Sequence, residues 1–186
     1  LVANPGCYPT ATLLALLPVV RAGLGRGAHV VVDAKSGVSG AGRKASEALI
    51  YGQVAENFAP YGLGGHRHHP EIAQGLVALG ARDARLTFVP HLTPMFRGME
   101  VTVYLDPEAG IDAIRETARA AYADEPFVEF TEGNDAAPPS TQSVRGSNLA
   151  RVAYYAGTGS GIVAVSVIDN RSEERRVGKE CPSPCR

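Results

Sequence analysis

Apolar positions change period several times along the chain, and each change marks an element. Leu13, Leu16, Leu17 and Val20 recur at i, i+3, i+4 and i+7 and predict a helix from Thr10 onward, with Pro9 tolerated near its first turn. His29 to Ala34 is short and β-branched, the pattern of a buried strand, and it runs into the glycine-rich loop Ser36 to Gly42. A helix is expected from Arg43 to about Tyr51. After an irregular stretch from Phe58 to His69, Pro70-Glu71-Ile72 places a proline and an acid where a helix opens. Leu86–Pro90 and Met99–Leu105 read as strands around the loop His91 to Gly98, and Ile111, Ile114, Ala118 and Tyr122 mark an amphipathic helix. Phe127–Phe130 alternates as a strand, and Pro138-Pro139-Ser140 breaks the pattern. Asn148–Tyr155 and Ile162–Ile168 read as the last two strands, joined by the turn Gly157 to Gly161. Six strands and about four helices without strict alternation predict an α+β fold, a mixed, largely antiparallel sheet with helices on one face.

With 186 residues, 45% of them hydrophobic, the chain has material for one core. Its opening at Leu1, with no initiator Met or basic leader ahead of the first apolar segment, reads as a cut edge, so residues 1–170 are expected to be one domain of a longer protein. The last 16 residues differ from the rest. Arg171 to Arg186 carries five of the 18 basic and three of the 19 acidic residues and resembles translated read-through of a sequencing adaptor. Residues 171–186 are therefore expected to be a non-native tail. Without them the chain is net acidic and offers no basic surface for nucleic acid. Two of the three cysteines, Cys181 and Cys185, also fall in that tail, which leaves Cys7 alone in the body. One cysteine cannot build an internal disulfide framework. With no long apolar span either, a cytoplasmic protein with no membrane partner is expected.

The lone cysteine is the first candidate for chemistry. A thiol attacks only as thiolate, and the predicted place of Cys7 just ahead of a helix N-terminus offers N–H groups and the positive end of a helix dipole. Those N–H groups also suit an oxyanion formed by attack on a carbonyl. A small buried core residue is the plain alternative. The second candidate is Gly64-Gly65-His66-Arg67-His68-His69-Pro70-Glu71. In an extended segment His66 and His68 point the same way, and Glu71 on the first helical turn can reach back to an imidazole, raising its basicity for general-base work. A zinc site using the His-x-His pair and a solvated polar loop stay open beside that reading. Ser36-Gly37-Val38-Ser39-Gly40-Ala41-Gly42 can bring bare backbone close to a ligand. Arg97 can clamp a carboxylate by its planar fork, or simply lie on the surface. The polar residues between Pro138 and Asn148 suit phosphate or carboxylate contacts, or an ordinary loop. No G-x-G-x-x-G follows a first strand, so most of any dinucleotide site is expected outside this chain.

Four segments in order carry a resemblance: Ala3-Asn4-Pro5-Gly6-Cys7-Tyr8-Pro9-Thr10-Ala11, Asp33 to Arg43, His66 to Ile72, and Pro90 to Met99. Together they resemble the N-acetyl-gamma-glutamyl-phosphate reductase family of arginine biosynthesis, over Leu1 to Asn170. The resemblance implies a two-domain enzyme, related to aspartate-semialdehyde dehydrogenase and glyceraldehyde-3-phosphate dehydrogenase, whose N-terminal Rossmann half binds NADP. Residues 1–170 would be its catalytic and oligomerisation domain, forming a homodimer or homotetramer through the sheet. It further implies Cys7 as the nucleophile toward a small acyl phosphate, and His68 as acid/base oriented by Glu71. His66 and Ser36 would contact substrate or nicotinamide, and Arg97 the substrate carboxylate. Ser36, Gly37 and Asn170, the last in the family-like run Val167-Ile168-Asp169-Asn170, would lie on the cofactor side. No role falls to His69 and no metal is implied. Other readings are a reductase of the same mechanism acting on carrier-bound aminoadipyl phosphate in lysine biosynthesis, a Cys7/His68 hydrolase needing no cofactor, and a non-catalytic assembly module.

Overall fold

The computed structural model describes residues 5–25, 27–42, 45–133, 137–157 and 161–170. The expected tail 171–186 with Cys181 and Cys185, the middle of the turn at 158–160, Ala3 and Asn4 of the first motif, and Arg43 lie outside the described residues.

The elements run α1 (Cys7–Gly23), β1 (His29–Ser36), α2 (Tyr51–Val54), β2 (Ala59–Pro60), α3 (His68–Leu79), β3 (Arg85–Leu92), β4 (Met99–Leu105), α4 (Ile111–Tyr122), β5 (Val128–Thr131), β6 (Ala150–Ala156) and β7 (Ile162–Ile168). The strands form one sheet in the order β2-β3-β1-β4-β7-β6-β5. Only β1 with β3 and β5 with β6 run parallel, and the other neighbours are antiparallel. Helix α1 lies over β4, β7 and β6, flanked by α3 and α4. The α+β class, the largely antiparallel sheet and the single helical face thus agree with the sequence.

Three elements differ from expectation, each for a physical reason. Helix α1 begins at Cys7 rather than Thr10, because Pro9 falls in its first turn, where a backbone N–H has no helical partner to lose. In α3, by contrast, which begins at His68, Pro70 and Glu71 fall in the first turn as expected. The helix expected from Arg43 to Tyr51 is replaced by a 3-10 turn at Glu47–Leu49 and the four-residue α2. That segment buries little apolar surface, and a short helix with no face to pack does not hold on propensity alone. The two-residue edge strand β2 has no periodic signal in the sequence.

The core lies between α1 and the sheet. Ala11, Ala15, Leu16 and Val19 of α1 meet Val30, Val32, Val101, Val103 and Ala164, all fully buried. The alanines let the helix sit close, while Leu13 leans on α3, where a Cβ on Gly75 would lie 2.4 Å from Leu13 Cδ1. A helix covered on three sides is apolar beyond one stripe, which explains the long hydrophobic run. Among the described residues no long helix packs on the opposite face of the sheet. Strand alternation places Asp33, Lys35, Glu100, Tyr104, Val163 and Val165 there. Lys35 Nζ lies 3.3 Å from Asp33 Oδ2 and 3.6 Å from Glu100 Oε1. Among the described residues no helix is long and apolar enough to cross a membrane.

Pro18 interrupts α1 without breaking it. A proline has no N–H for the carbonyl four residues back, here that of Leu14, and a buried orphan carbonyl is costly. The Tyr122 hydroxyl of α4 donates to Leu14 O, and the buried Tyr154 hydroxyl of β6 donates to Ala15 O at 2.9 Å. Burial pushes both phenols well above their ordinary pKa, so both stay protonated donors. Tyr122→Phe is expected to cost about 1–3 kcal/mol in urea unfolding. In a Pro18→Ala background, where residue 18 regains its N–H, the same substitution is expected to cost less than half as much.

Candidate active site

Two helix N-termini meet at one point of the fold. Cys7 is the first residue of α1, and Gly6 ahead of it is the N-cap with no side-chain bond of its own. The Gly6 N–H donates instead to Glu71 Oε1 of α3 at 2.7 Å. Thr10 closes the turn from the other side, its Oγ1 donating to Gly6 O at 2.9 Å. The contact is close enough to require glycine. A Cβ at position 6 would stand 2.6 Å from His68 Nε2 and 3.0 Å from Glu71 Oε2. Gly6 therefore lets the turn that carries Cys7 lie directly against His68, the first residue of α3. The first-turn N–H groups of α1 come from Cys7 and Tyr8, since Pro9 has none.

The histidines come together differently from the extended arrangement expected. The chain turns at Arg67, which is helical in φ and ψ, and the His68 N–H donates to His66 Nδ1 at 3.1 Å. The rings then meet edge to face with centroids 5.0 Å apart, and the Tyr8 ring packs against both. Burial, with a smaller contribution from the Arg67 guanidinium, holds His66 below its ordinary pKa of 6.5, so it is neutral at neutral pH. The Tyr8 hydroxyl shares a hydrogen bond of 2.8 Å with Tyr61, and burial pushes both phenols up.

A cleft of about 550 Å³ opens over these groups. Its lining includes Cys7, Tyr8, His66, Arg67 and His68 from the two helix starts, together with Ser36, Gly37, Gly40 and Asn170. The segments around Gly37 and Gly98 are laced backbone to backbone. Gly37 N–H donates to Gly98 O at 2.9 Å and Ser39 N–H to Phe96 O at 2.9 Å. Glycine is required at 37 for closeness rather than for an unusual φ, because a Cβ would stand 2.8 Å from Met95 O. Asn170, at the end of β7, donates from Nδ2 to Ser36 Oγ at 3.0 Å and accepts from Ser39 Oγ at 2.7 Å through its carbonyl.

Of the residues singled out from sequence, Cys7, His66, His68, Ser36, Gly37 and Asn170 share this cleft. Glu71 stands just behind it, bonded to the Gly6 backbone. Arg97 does not line it. Its guanidinium reaches 3.9 Å from Asp169 Oδ2, a carboxylate with no exposed surface. Among the described residues no group of three or more His, Cys, Asp or Glu side chains is placed to hold a metal ion. Tyr8, Tyr61 and Arg67 also line the cleft and carried no assigned role from the sequence. Arg67 lay in plain view between two candidate histidines, whereas Tyr61 sits in a stretch with no period.

Residues 7–170 match the family described as semialdehyde dehydrogenase, dimerisation domain. The chain belongs to the semialdehyde dehydrogenase dimerisation-domain family. Within it, the chain is 49% identical over 173 residues to the N-acetyl-gamma-glutamyl-phosphate reductase of Marinobacter nauticus, covering 91% of this chain and 50% of that protein. It is 47% identical to the protein of the same name from Thiobacillus denitrificans, over 91% of this chain and 49% of the relative. The chain thus spans about half the length of the curated relatives it matches. The dimerisation-domain fold also appears in aspartate semialdehyde dehydrogenase II from Vibrio cholerae, with a TM-score of 0.69 at 19% identity, covering 93% of this chain and 59% of that one. A probable aspartate-semialdehyde dehydrogenase from Pseudomonas aeruginosa gives 0.67 at 20% identity, over 91% and 57% of the two chains.

In this dimerisation domain the Glu71 contact is open to test. Glu71→Ala removes the acceptor of the Gly6 N–H and is expected to cost about 1–3 kcal/mol in chemical denaturation. Glu71→Gln keeps a carbonyl oxygen in place and is expected to recover most of that loss.

Proposed function

We propose that residues 1–170 are the catalytic and dimerisation half of an NADPH-dependent reductase that converts N-acetyl-L-glutamyl 5-phosphate to N-acetyl-L-glutamate 5-semialdehyde and phosphate in arginine biosynthesis. The observation that carries this reading is Cys7 at the first residue of a 17-residue helix, in a cleft that also holds His66 and His68. The names of the relatives favour acetylglutamyl phosphate over the carrier-bound aminoadipyl substrate.

The chemistry assigned to this chain follows from its own groups. The positive end of α1 favours the Cys7 thiolate, which attacks the acyl carbon while the carbon–oxygen bond to phosphate breaks and phosphate leaves with the electron pair. That splits one hard step into two through a thioester on Cys7. The first-turn N–H groups of Cys7 and Tyr8 are assigned to the oxyanion formed on attack. His68 is assigned the proton transfers at the substrate oxygen. Glu71 acts through position, by fixing Gly6 against His68. His66, neutral at working pH, accepts the His68 N–H and borders the substrate.

Asn170, Ser36 and Gly37 fit the nicotinamide end of a cofactor. They line the same cleft as Cys7, and Gly40 leaves the Asn170 amide its space, since a Cβ there would fall 2.2 Å from Asn170 Nδ2. When bound, the cofactor supplies the hydride that reduces the acyl group. The rest of its site belongs to an N-terminal Rossmann half outside this chain, which by itself is expected to turn over little or nothing. The sheet face opposite α1, where Tyr104, Val163 and Val165 lie beside the Asp33, Lys35 and Glu100 cluster, is assigned to a homodimer contact. The enzyme so described acts in the cytoplasm.

The test is an assay of this domain joined to a nucleotide-binding half. Aldehyde is expected to form with NADPH oxidation, Cys7→Ser is expected to abolish it, and His68→Ala is expected to lower kcat by roughly 10²- to 10⁴-fold. Release of free acid without NADPH oxidation would establish the hydrolase instead.

A further inference from the structure

We propose that Arg67, rather than Arg97, supplies the fixed positive charge by which the Cys7 cleft selects an anionic acyl substrate. The inference rests on the reading of Cys7 as nucleophile and goes beyond it by naming the residue that recognises the anion. Among the described residues that line the cleft, Arg67 is the only lysine or arginine, and no aspartate or glutamate lines it. The lining is therefore neutral or positive throughout. Arg97, the cation expected from sequence, is turned to the fully buried Asp169 carboxylate, and the charge of one offsets the other.

Arg67 has the right place and freedom for the task. It is the N-cap residue of α3, between His66 and His68 in sequence, so the backbone that positions the two imidazoles also fixes the base of its side chain. Among the described residues no carboxylate is paired with it, and the side chain is exposed at the mouth of the cleft. Its charge is felt inside, where it adds to the lowering of the His66 pKa and favours the charged form of Tyr61. A guanidinium fork pairs in bidentate fashion with either a carboxylate or a phosphate, so the shared chemistry is a planar or tetrahedral oxyanion on the substrate.

The test uses the intact chain and needs neither cofactor nor turnover. Alkylation of Cys7 by anionic iodoacetate and by neutral iodoacetamide is followed separately by mass spectrometry of the Cys7 peptide, and the ratio of the two rates is compared among variants. Arg67→Gln is expected to lower the iodoacetate-to-iodoacetamide ratio on the order of five- to tenfold, as loss of one unit charge several Å away in a half-solvated cleft requires. Arg67→Lys is expected to keep most of the ratio, and Arg97→Gln to leave it unchanged. Circular dichroism checks the folding of each variant, and taking the ratio cancels any change in the Cys7 thiolate fraction, which affects both reagents alike. Protection of Cys7 by inorganic phosphate and by N-acetyl-L-glutamate then separates the two anion sources. The ligand whose protection weakens in Arg67→Gln carries the group that Arg67 reads. A ratio unchanged in Arg67→Gln, an equal fall in Arg97→Gln, or protection by both ligands unaltered would overturn the proposal. Aldehyde formation by the joined enzyme is measured independently, so failure here leaves the reductase reading standing.

Discussion

The approach of the Gly6 backbone to the start of α3 is the constraint on which the site depends. One hydrogen bond of 2.7 Å from Gly6 N–H to Glu71, and the absence of a Cβ where one would strike His68 at 2.6 Å, bring two helix N-termini into contact. Cys7 and His68 each occupy the first position of a helix, so their separation is set by rigid elements rather than by loops. Chemistry that needs a nucleophile and a proton carrier in register gains most from such an arrangement. Behind it, α1 is held to the sheet by close-packed alanines, and two tyrosine hydroxyls take carbonyls near the proline that interrupts the helix.

The second wall of the cleft obeys the same logic with different parts. Gly37 and Gly40 are spaces as much as residues: one admits the backbone of the 93–98 loop, the other admits the Asn170 amide. The end of β7 is thereby drawn back to Ser36 at the end of β1, though the two are 134 residues apart in sequence.

Much of this was legible in the chain before any coordinates. The five long strands and the helices at 7–23 and 111–122 declared themselves by apolar period, because each buries a face against the rest, and the helix at 68–79 by the proline and acid in its first turn. The segment 45–54 did not, since most of it is exposed and its helical spacing has little to pack against. Among site residues, Cys7, His66 and His68 were reachable from chemical type and order, and Asn170 only through the family resemblance. Their meeting was reachable only through the family resemblance. Arg97 and Arg67 show the limit most clearly. Both are arginines in glycine-flanked or histidine-rich loops, and only three-dimensional placement shows one near a buried carboxylate and the other lining the cleft that holds Cys7. Long-range pairings such as Gly6 with Glu71 leave no periodic trace at all.

The central claim is that Cys7 is an acyl-accepting nucleophile already formed within this chain. Its most direct test is to expose the isolated chain to N-acetyl-L-glutamyl 5-phosphate without cofactor, and to measure phosphate release together with the mass of the Cys7 peptide. One phosphate per chain, with the acetylglutamyl group retained on Cys7 and no further release, is the predicted result. Absence of an adduct on a folded chain, or an adduct confined to Cys181 or Cys185, would contradict it.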